Sequence, residues 1–323
     1  MTTTILQSIE SYLDSISLAR SENTARTYRN AMQSFRATLA DHGFPVTSTS
    51  IEEIQEDAVA WFAADLKAFS PATESLYLTA VTGFYEYLVA EHLVDLNLPR
   101  VQLLIHQRAR RPGIRLPQFP RDDIEKVLEY AKGIAKTPVE DEMEHLRNLR
   151  DRAFLLTLAD TGLRVHEACK LRRGDLDLRE QRALVIGKGN REAVVRFSMR
   201  SITALRDYLS ARQPLDGASG KPLTSLPLFA RHDRGAGKKI KSITTRTGQN
   251  IIAQRVGEAL GESSVGAITP HSFRHYFVTT VLQASGNLKL AQELARHKNI
   301  AVTQRYAHLS NDELDRGYND IFD

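Results

Sequence analysis

The chain is predicted to be mainly α-helical with a small antiparallel β-sheet, and three observations carry that expectation. Apolar residues recur at helical spacing through most of the 323 residues. A strand-like period appears only around 183–197, where two short apolar runs flank a Gly-Lys-Gly-Asn turn. A hydrophobic share of 42% is enough for a sizeable core. At roughly 100–200 residues per domain, the length suggests two domains.

Residues 5–92 read as helices. Ile5, Ile9, Tyr12, Leu13 and Ile16 mark the first. Ser21 and Asn23 offer caps for a second, whose stripe is Tyr28, Met32, Phe35 and Leu39, and which ends near Gly43-Phe44-Pro45. A third is expected after Ser50, with Glu52 and Glu53 in the first turn, where the helix dipole favours acids. A fourth follows Ser70-Pro71 and carries Leu76, Leu78, Val81, Phe84, Tyr85 and Leu88. Four such helices suit a bundle-like domain, closed by Asn97-Leu-Pro-Arg100. The stretch 105–121 holds three prolines, one glycine and five arginines, and is expected to be an extended basic linker. Helices should resume at Arg121 and across 141–161, followed by the hairpin at 183–186 and 193–197. After 200 the chain returns to helices, interrupted by a basic, glycine-containing loop at 231–248.

Charge is uneven. Residues 1–100 hold 6 basic and 13 acidic side chains, the remainder 37 and 26. That asymmetry points to a polyanionic partner for the C-terminal two-thirds. In the N-terminal part, Arg20, Arg26, Arg29 and Arg36 precede nine acids in 51–100, giving one basic and one acidic face, or simply a solvated helix surface. The single cysteine, Cys169, can form neither an internal disulfide nor a thiolate zinc site, which favours a reducing cytosol. No apolar run approaches the ~18–20 residues that cross a bilayer. The start, Met1-Thr-Thr-Thr-Ile-Leu, lacks a basic segment leading into an apolar one. A cytoplasmic protein with no membrane partner is expected.

Four segments carry candidate chemistry. In Thr269-Pro270-His271-Ser272-Phe273-Arg274, Thr269 suits an N-cap and Pro270 the first helical position. His271 and Arg274 then share a face in a turn whose free N–H groups attract an anion. Arg164 follows Thr161-Gly162, with Glu167 three residues on, able to hold it. Lys188 lies at the hairpin tip between Gly187 and Gly189, able to reach into a cleft. His297 and Tyr306 flank Ile300-Ala-Val302. Each pattern alone also fits an ordinary surface or core residue. No close carboxylate cluster of the two-metal kind is visible, and Asp175 and Asp177 read as capping residues.

In the order Arg164, Lys188, His271, Arg274, His297, Tyr306, these residues resemble the tyrosine site-specific recombinase (integrase) family, in its Xer-like or Cre-like two-domain form. The matching segments are Thr-Gly-Leu-Arg-Val-His-Glu, Gly-Lys-Gly-Asn-Arg, His-Ser-Phe-Arg-His and Arg-His-Lys-Asn-Ile-Ala-Val-Thr-Gln-Arg-Tyr-Ala-His. Ser-Glu-Asn-Thr-Ala-Arg-Thr-Tyr28 is similar to the opening of the family's core-binding helix. One departure is Ala295-Arg296-His297 where the family commonly has Leu-Gly-His. The resemblance implies a helical core-binding domain at 1–104, a linker at 105–120, an α+β catalytic domain at 121–306 and a tail at 307–323 that packs on a neighbouring protomer. Because the core-binding helices start near Met1, no arm-binding domain is expected.

By the same resemblance, Tyr306 is the nucleophile and Arg164 and Arg274 clamp the phosphate. Lys188 protonates the leaving oxygen, His271 assists proton transfer or phosphate binding, His297 hydrogen-bonds the phosphate and Glu167 supports the site. No metal, ATP or other cofactor is implied, in agreement with the lack of a two-metal carboxylate cluster in the sequence. Double-stranded DNA with an inverted-repeat site is the implied partner, bound by a homotetramer or with a paralogous recombinase. Linker and loop residues Arg108, Arg110, Arg111, Lys239 and Lys241 are expected to touch phosphates, and Thr24 and Arg26 to read bases. The alternatives are a relaxing topoisomerase of type IB and a non-catalytic architectural DNA-binding protein.

Overall fold

The computed structural model describes residues 3–110, 120–187, 192–233, 235 and 239–304. Two compact units divide the chain, residues 1–115 and 116–323.

The first unit contains α1 (Ile5–Ala19), α2 (Glu22–Asp41), α3 (Ala58–Asp65), α4 (Pro71–Ala90) and α5 (Leu98–Arg108). Ser21 and Ser70 cap α2 and α4 through their hydroxyls, as their place before each apolar run suggests. Ile5, Ile9, Met32, Phe35, Leu39, Leu78, Phe84 and Leu88 are buried in one core. Leu76 instead lies 45% exposed on the other side of α4. Tyr12 and Tyr85 are buried with their hydroxyls donating to the carbonyls of Ala80 (3.0 Å) and Gln55 (2.7 Å), which removes the cost of burying a phenol.

Two expectations are corrected here. After Ser50 comes only a 3-10 turn, Ile51–Glu53, whose N-terminus Ser50 and Glu53 satisfy reciprocally, and α3 starts at Ala58. Residues 105–108 are not extended. Asn97 caps α5, Pro99 sits in its first turn, and Val101 and Leu104 pack inward, so the helical unit reaches into the proposed linker.

The second unit contains α6 (Arg121–Ile134), α7 (Glu142–Thr161), α8 (Val165–Lys170), strands β1 (Leu176–Asp177), β2 (Arg182–Ile186) and β3 (Glu192–Arg196), then α9 (Met199–Ala211), α10 (Gln213–Gly217), α11 (Thr245–Leu260), α12 (Pro270–Ser285), α13 (Leu288–Ala295) and α14 (Ile300–Gln304). Helix α7 is buried along most of its length and packs against α6, α9 and α12. The sheet is antiparallel in the order β1-β2-β3, with Leu184 opposite Val194. Ala183, Val185 and Val195 face the core while Leu184, Ile186 and Val194 face outward, as the two-residue period requires. The basic loop ends earlier than expected, because Thr244 caps Thr247 and starts α11. Asp175 and Asp177 accept backbone N–H groups of Arg172 and of Arg179 and Glu180, as the capping reading expects.

Candidate functional site

The site is built on the turn between α7 and α8. Thr161 ends α7, and its hydroxyl donates to Thr157 O (2.6 Å) and accepts from Leu163 N (3.2 Å). Gly162 then takes φ 60°, and an added Cβ there would run into the Phe277 ring. Only glycine fits both conditions. The turn delivers Arg164 as the N-cap of α8.

Glu167, buried on α8, holds that arginine twice. Its Oε2 accepts Arg164 N at 2.9 Å and its Oε1 accepts Arg164 Nη1 at 3.1 Å. A third bond arrives from Arg296 Nη2 at 2.8 Å. Burial pushes the Glu167 carboxyl up, but Arg296 and Arg164 outweigh it and hold the carboxyl below its ordinary value. The Arg164 side chain stays 40% exposed, so it is anchored and still reachable.

Arg274 reaches the same turn from α12. Thr269 and Ser272 form the capping box and Pro270 occupies the first turn, as the sequence predicts. Arg274 is buried, donating from Nη1 to Gly162 O and from Nη2 to Ala295 O. These carbonyls end α7 and α13, where unpaired oxygens concentrate negative potential and suit a guanidinium. Gly162 lies two residues before Arg164, and Ala295 two before His297. One side chain therefore draws together the segments that carry three of the expected site residues.

His297 follows a tight helix end. Arg296 adopts φ 57°, the left-handed region, and the N–H of His297 returns to Gln292 O at 3.0 Å. Gln292 Nε2 also donates to His297 O at 3.0 Å. The imidazole Nδ1 shares a 2.8 Å hydrogen bond with the hydroxyl of buried Thr303 on α14. Burial first, then the charges of Arg274, Arg164, His275 and Arg296, lower its pKa to about 4, so the ring is neutral at pH 7. His271 is exposed in the first turn of α12. His275, one turn on, is half-buried and held below the ordinary histidine range by burial and by His271 and Arg274.

Lys188, Tyr306 and Arg111 lie outside the described residues, as does the tail 307–323. Of the expected DNA contacts, Thr24 shares the capping hydroxyl of Ser21 at 2.9 Å, and Arg26 donates to Asn23 Oδ1 at 2.7 Å. The Arg108 carbonyl accepts from Lys67 Nζ at 2.5 Å. Arg110 turns toward buried Glu74, with its N and Nε at 2.8 and 2.5 Å from the carboxylate. Lys239 and Lys241 are exposed on the loop before α11. Three participants are not assigned a role by the sequence. Arg296 stands out there only as a departure from the family's Leu-Gly-His, and neither Gln292 nor Thr303 bears a motif. The one available signal was a non-glycine residue at a helix end followed by a polar run. No described helix is long and apolar enough to cross a membrane. Among the described residues no group of three or more His, Cys, Asp or Glu is placed to hold a metal.

The chain matches the phage integrase family over residues 121–313 and the phage integrase N-terminal SAM-like domain over residues 9–92. Tyrosine recombinase XerC of Pediococcus pentosaceus is 30% identical over 304 residues, covering 94% of this chain and 92% of the relative. Tyrosine recombinase XerD of Mycobacterium leprae is 29% identical over 315 residues, covering 95% and 94%. Among solved structures, the XerH site-specific recombinase bound to palindromic difH substrate in a post-cleavage complex aligns with a TM-score of 0.65 at 19% identity, covering 93% of this chain and 80% of that one. A lambda integrase dimer bound to a COC′ core site aligns with a TM-score of 0.65 at 15% identity, covering 95% and 96%. These two likenesses concern the fold, mainly helical and in two domains. With a family match over more than half its length and a relative matched nearly end to end, the chain belongs to the phage integrase family and is a Xer-like tyrosine recombinase, an enzyme of site-specific DNA recombination.

Proposed function

We propose that the site cleaves and rejoins duplex DNA through Tyr306. The phenol oxygen bonds to phosphorus while the bond to the 5′ oxygen breaks, leaving a 3′-phosphotyrosyl link and a free 5′-hydroxyl. A tyrosine with a pKa of about 10 is a poor nucleophile at pH 7, so it needs positive charge around the phosphate it attacks. Arg164 and Arg274 supply that charge and neutralise the non-bridging oxygens. Lys188 donates the proton that the leaving 5′ oxygen takes up. His271 assists proton transfer at the exposed rim. His297 binds as a neutral ring, offering a hydrogen bond without adding a third fixed charge. Glu167 positions Arg164.

Because the phosphodiester energy is kept in the protein–DNA link, religation to the 5′-hydroxyl of a second duplex needs no nucleotide hydrolysis. Two sites and four active centres make a tetramer, of this chain or with a paralogue, on inverted-repeat DNA in the cytoplasm. Arg108, Arg111, Lys239 and Lys241 serve as phosphate contacts, Thr24 and Arg26 as base readers, and the tail as a contact between protomers. The observation that carries the reading is the pair of bonds from Arg274 to Gly162 and Ala295, which gathers Arg164, Glu167 and His297 at one place.

The test is covalent capture. Wild type and Tyr306→Phe are incubated in EDTA with labelled fragments of the native locus and run on denaturing gels. The expected result is a denaturant-resistant band with wild type that Tyr306→Phe lacks. A band that persists in Tyr306→Phe moves the nucleophile elsewhere, and the absence of any wild-type band despite DNA binding rejects the catalytic reading.

A further inference from the structure

Arg296 stands in a place that local structure disfavours for its side chain. Its backbone is left-handed, its side chain is 14% exposed, and its buried Nε finds no hydrogen-bond partner among the described residues. An exposed glycine would satisfy the helix end better. Among the described residues the side chain makes one bond, from Nη2 to Glu167 Oε2, across 129 residues of sequence. The same oxygen accepts the Arg164 backbone N–H, and the other oxygen holds the Arg164 guanidinium.

We propose that Arg296 is a positioning residue for strand cleavage: it pins the Glu167 carboxylate so that Arg164 is aimed at the phosphate. The inference rests on the phosphate-clamp role of Arg164 proposed above. Glu167 has one oxygen on the backbone of Arg164 and one on its guanidinium, so a carboxylate free to swing would lose the bidentate hold. Arg296, from the end of α13, blocks that swing through its bond to Oε2, the oxygen that also accepts the Arg164 N–H. The same residue sets the helix end that carries His297, so the turn and the α13 terminus are locked to each other through one carboxylate.

Three variants separate this from a role in backbone shape alone. Arg296→Gly relaxes the left-handed backbone and removes the charge, Arg296→Gln removes only the charge, and Arg296→Lys keeps it. Single-turnover cleavage is measured on the duplex fragment that wild type captures covalently, together with affinity for that fragment and the unfolding midpoint. Cleavage by the Gly and Gln variants is expected to slow by about 10-fold to 100-fold, with affinity held within about twofold, since misplacement of a clamp acts on the reacting geometry. Arg296→Lys should recover part of the rate. Glu167→Gln should be slow by itself, and adding Arg296→Gly should slow it little further, because both act through one contact. Cleavage by Arg296→Gly as fast as wild type, or a Glu167→Gln, Arg296→Gly pair that loses the full product of both effects, overturns the proposal and leaves the recombinase reading intact. A wild type that never forms a covalent complex overturns both.

Discussion

Glu74 in the first unit and Glu167 in the second are each buried between two cationic side chains, yet the two clusters are spent differently. Glu74 accepts Lys67 Nζ at 2.6 Å and both the N and Nε of Arg110. The remaining bonds of those cations go to backbone carbonyls, from Lys67 to Arg108 O and from Arg110 to Leu66 O and Phe69 O. The cluster ties the end of α5 to α4 and to the turn after α3. Around Glu167, only Nη1 of the Arg164 guanidinium is engaged by the described residues, and its other nitrogens face no described partner. A buried carboxylate that consumes its cations builds a joint, whereas one that leaves a guanidinium edge open presents it to an anion.

The largest expected effect compares two left-handed glycines, one in each unit. Gly43 has φ 85° with open space where a Cβ would go, whereas Gly162 has φ 60° and the Phe277 ring in that place. Gly43→Ala should cost about 1 kcal/mol from backbone strain alone. Gly162→Ala should cost about 3 kcal/mol, because the ring must also move. It should abolish cleavage as well, since the displaced carbonyl is a partner of Arg274. Equal unfolding costs for the two would break the view that the α7–α8 turn is held by packing from α12.

A smaller effect is expected from acid, and its order distinguishes the units. The Glu74 carboxyl is pushed up by burial, but Lys67 and Arg110 prevail and hold it at about 2, against an ordinary 4.5. A depressed carboxylate stabilises fully above its unfolded pKa and loses that stability as pH falls through 4.5 toward 2. In the second unit, burial and nearby cations lower His232 to about 3 and His297 to about 4, against 6.5. The unfolded chain there binds protons that the folded chain refuses, so stability is complete above about 6.5 and falls as pH drops toward 4 and then 3. The second unit should therefore weaken first on acidification. Trp61, the one tryptophan, reports the first unit by fluorescence, and hydrogen exchange along α7 reports the second. Loss of both signals together, or of the tryptophan signal first, would contradict this order.

Much of the fold was legible because it is local. Ser21, Ser70, Thr269 and Pro270 sit next to the helices they start, and the alternation in 183–197 marks β2 and β3. Helix α5 was hidden by composition: its last residues run into the proline- and arginine-rich stretch 105–121, although Val101 and Leu104 are buried and Leu98 and Ile105 also pack on the core. Of the site, Arg164, Arg274 and His297 were readable from spaced motifs. What binds them was not, since Arg274 pairs with Gly162 across 112 residues and Arg296 with Glu167 across 129. Arg110 was assigned by its charge to a basic strip, and its partner Glu74 lies 36 residues away. Charge locates a candidate cation, but only the folded chain decides whether that charge is already used.

The most direct test sets Arg164→Ala beside Glu74→Gln, measuring the unfolding free energy and single-turnover DNA cleavage per folded molecule. Arg164→Ala is expected to slow cleavage by about 100-fold or more while unfolding shifts by no more than about 1 kcal/mol, because the arginine is partly exposed and Glu167 keeps Arg296. Glu74→Gln is expected to lose about 2–4 kcal/mol of stability with its cleavage rate unchanged. An Arg164→Ala variant that cleaves normally but unfolds easily, or a Glu74→Gln variant that folds normally but fails to cleave, would contradict the division between the two clusters.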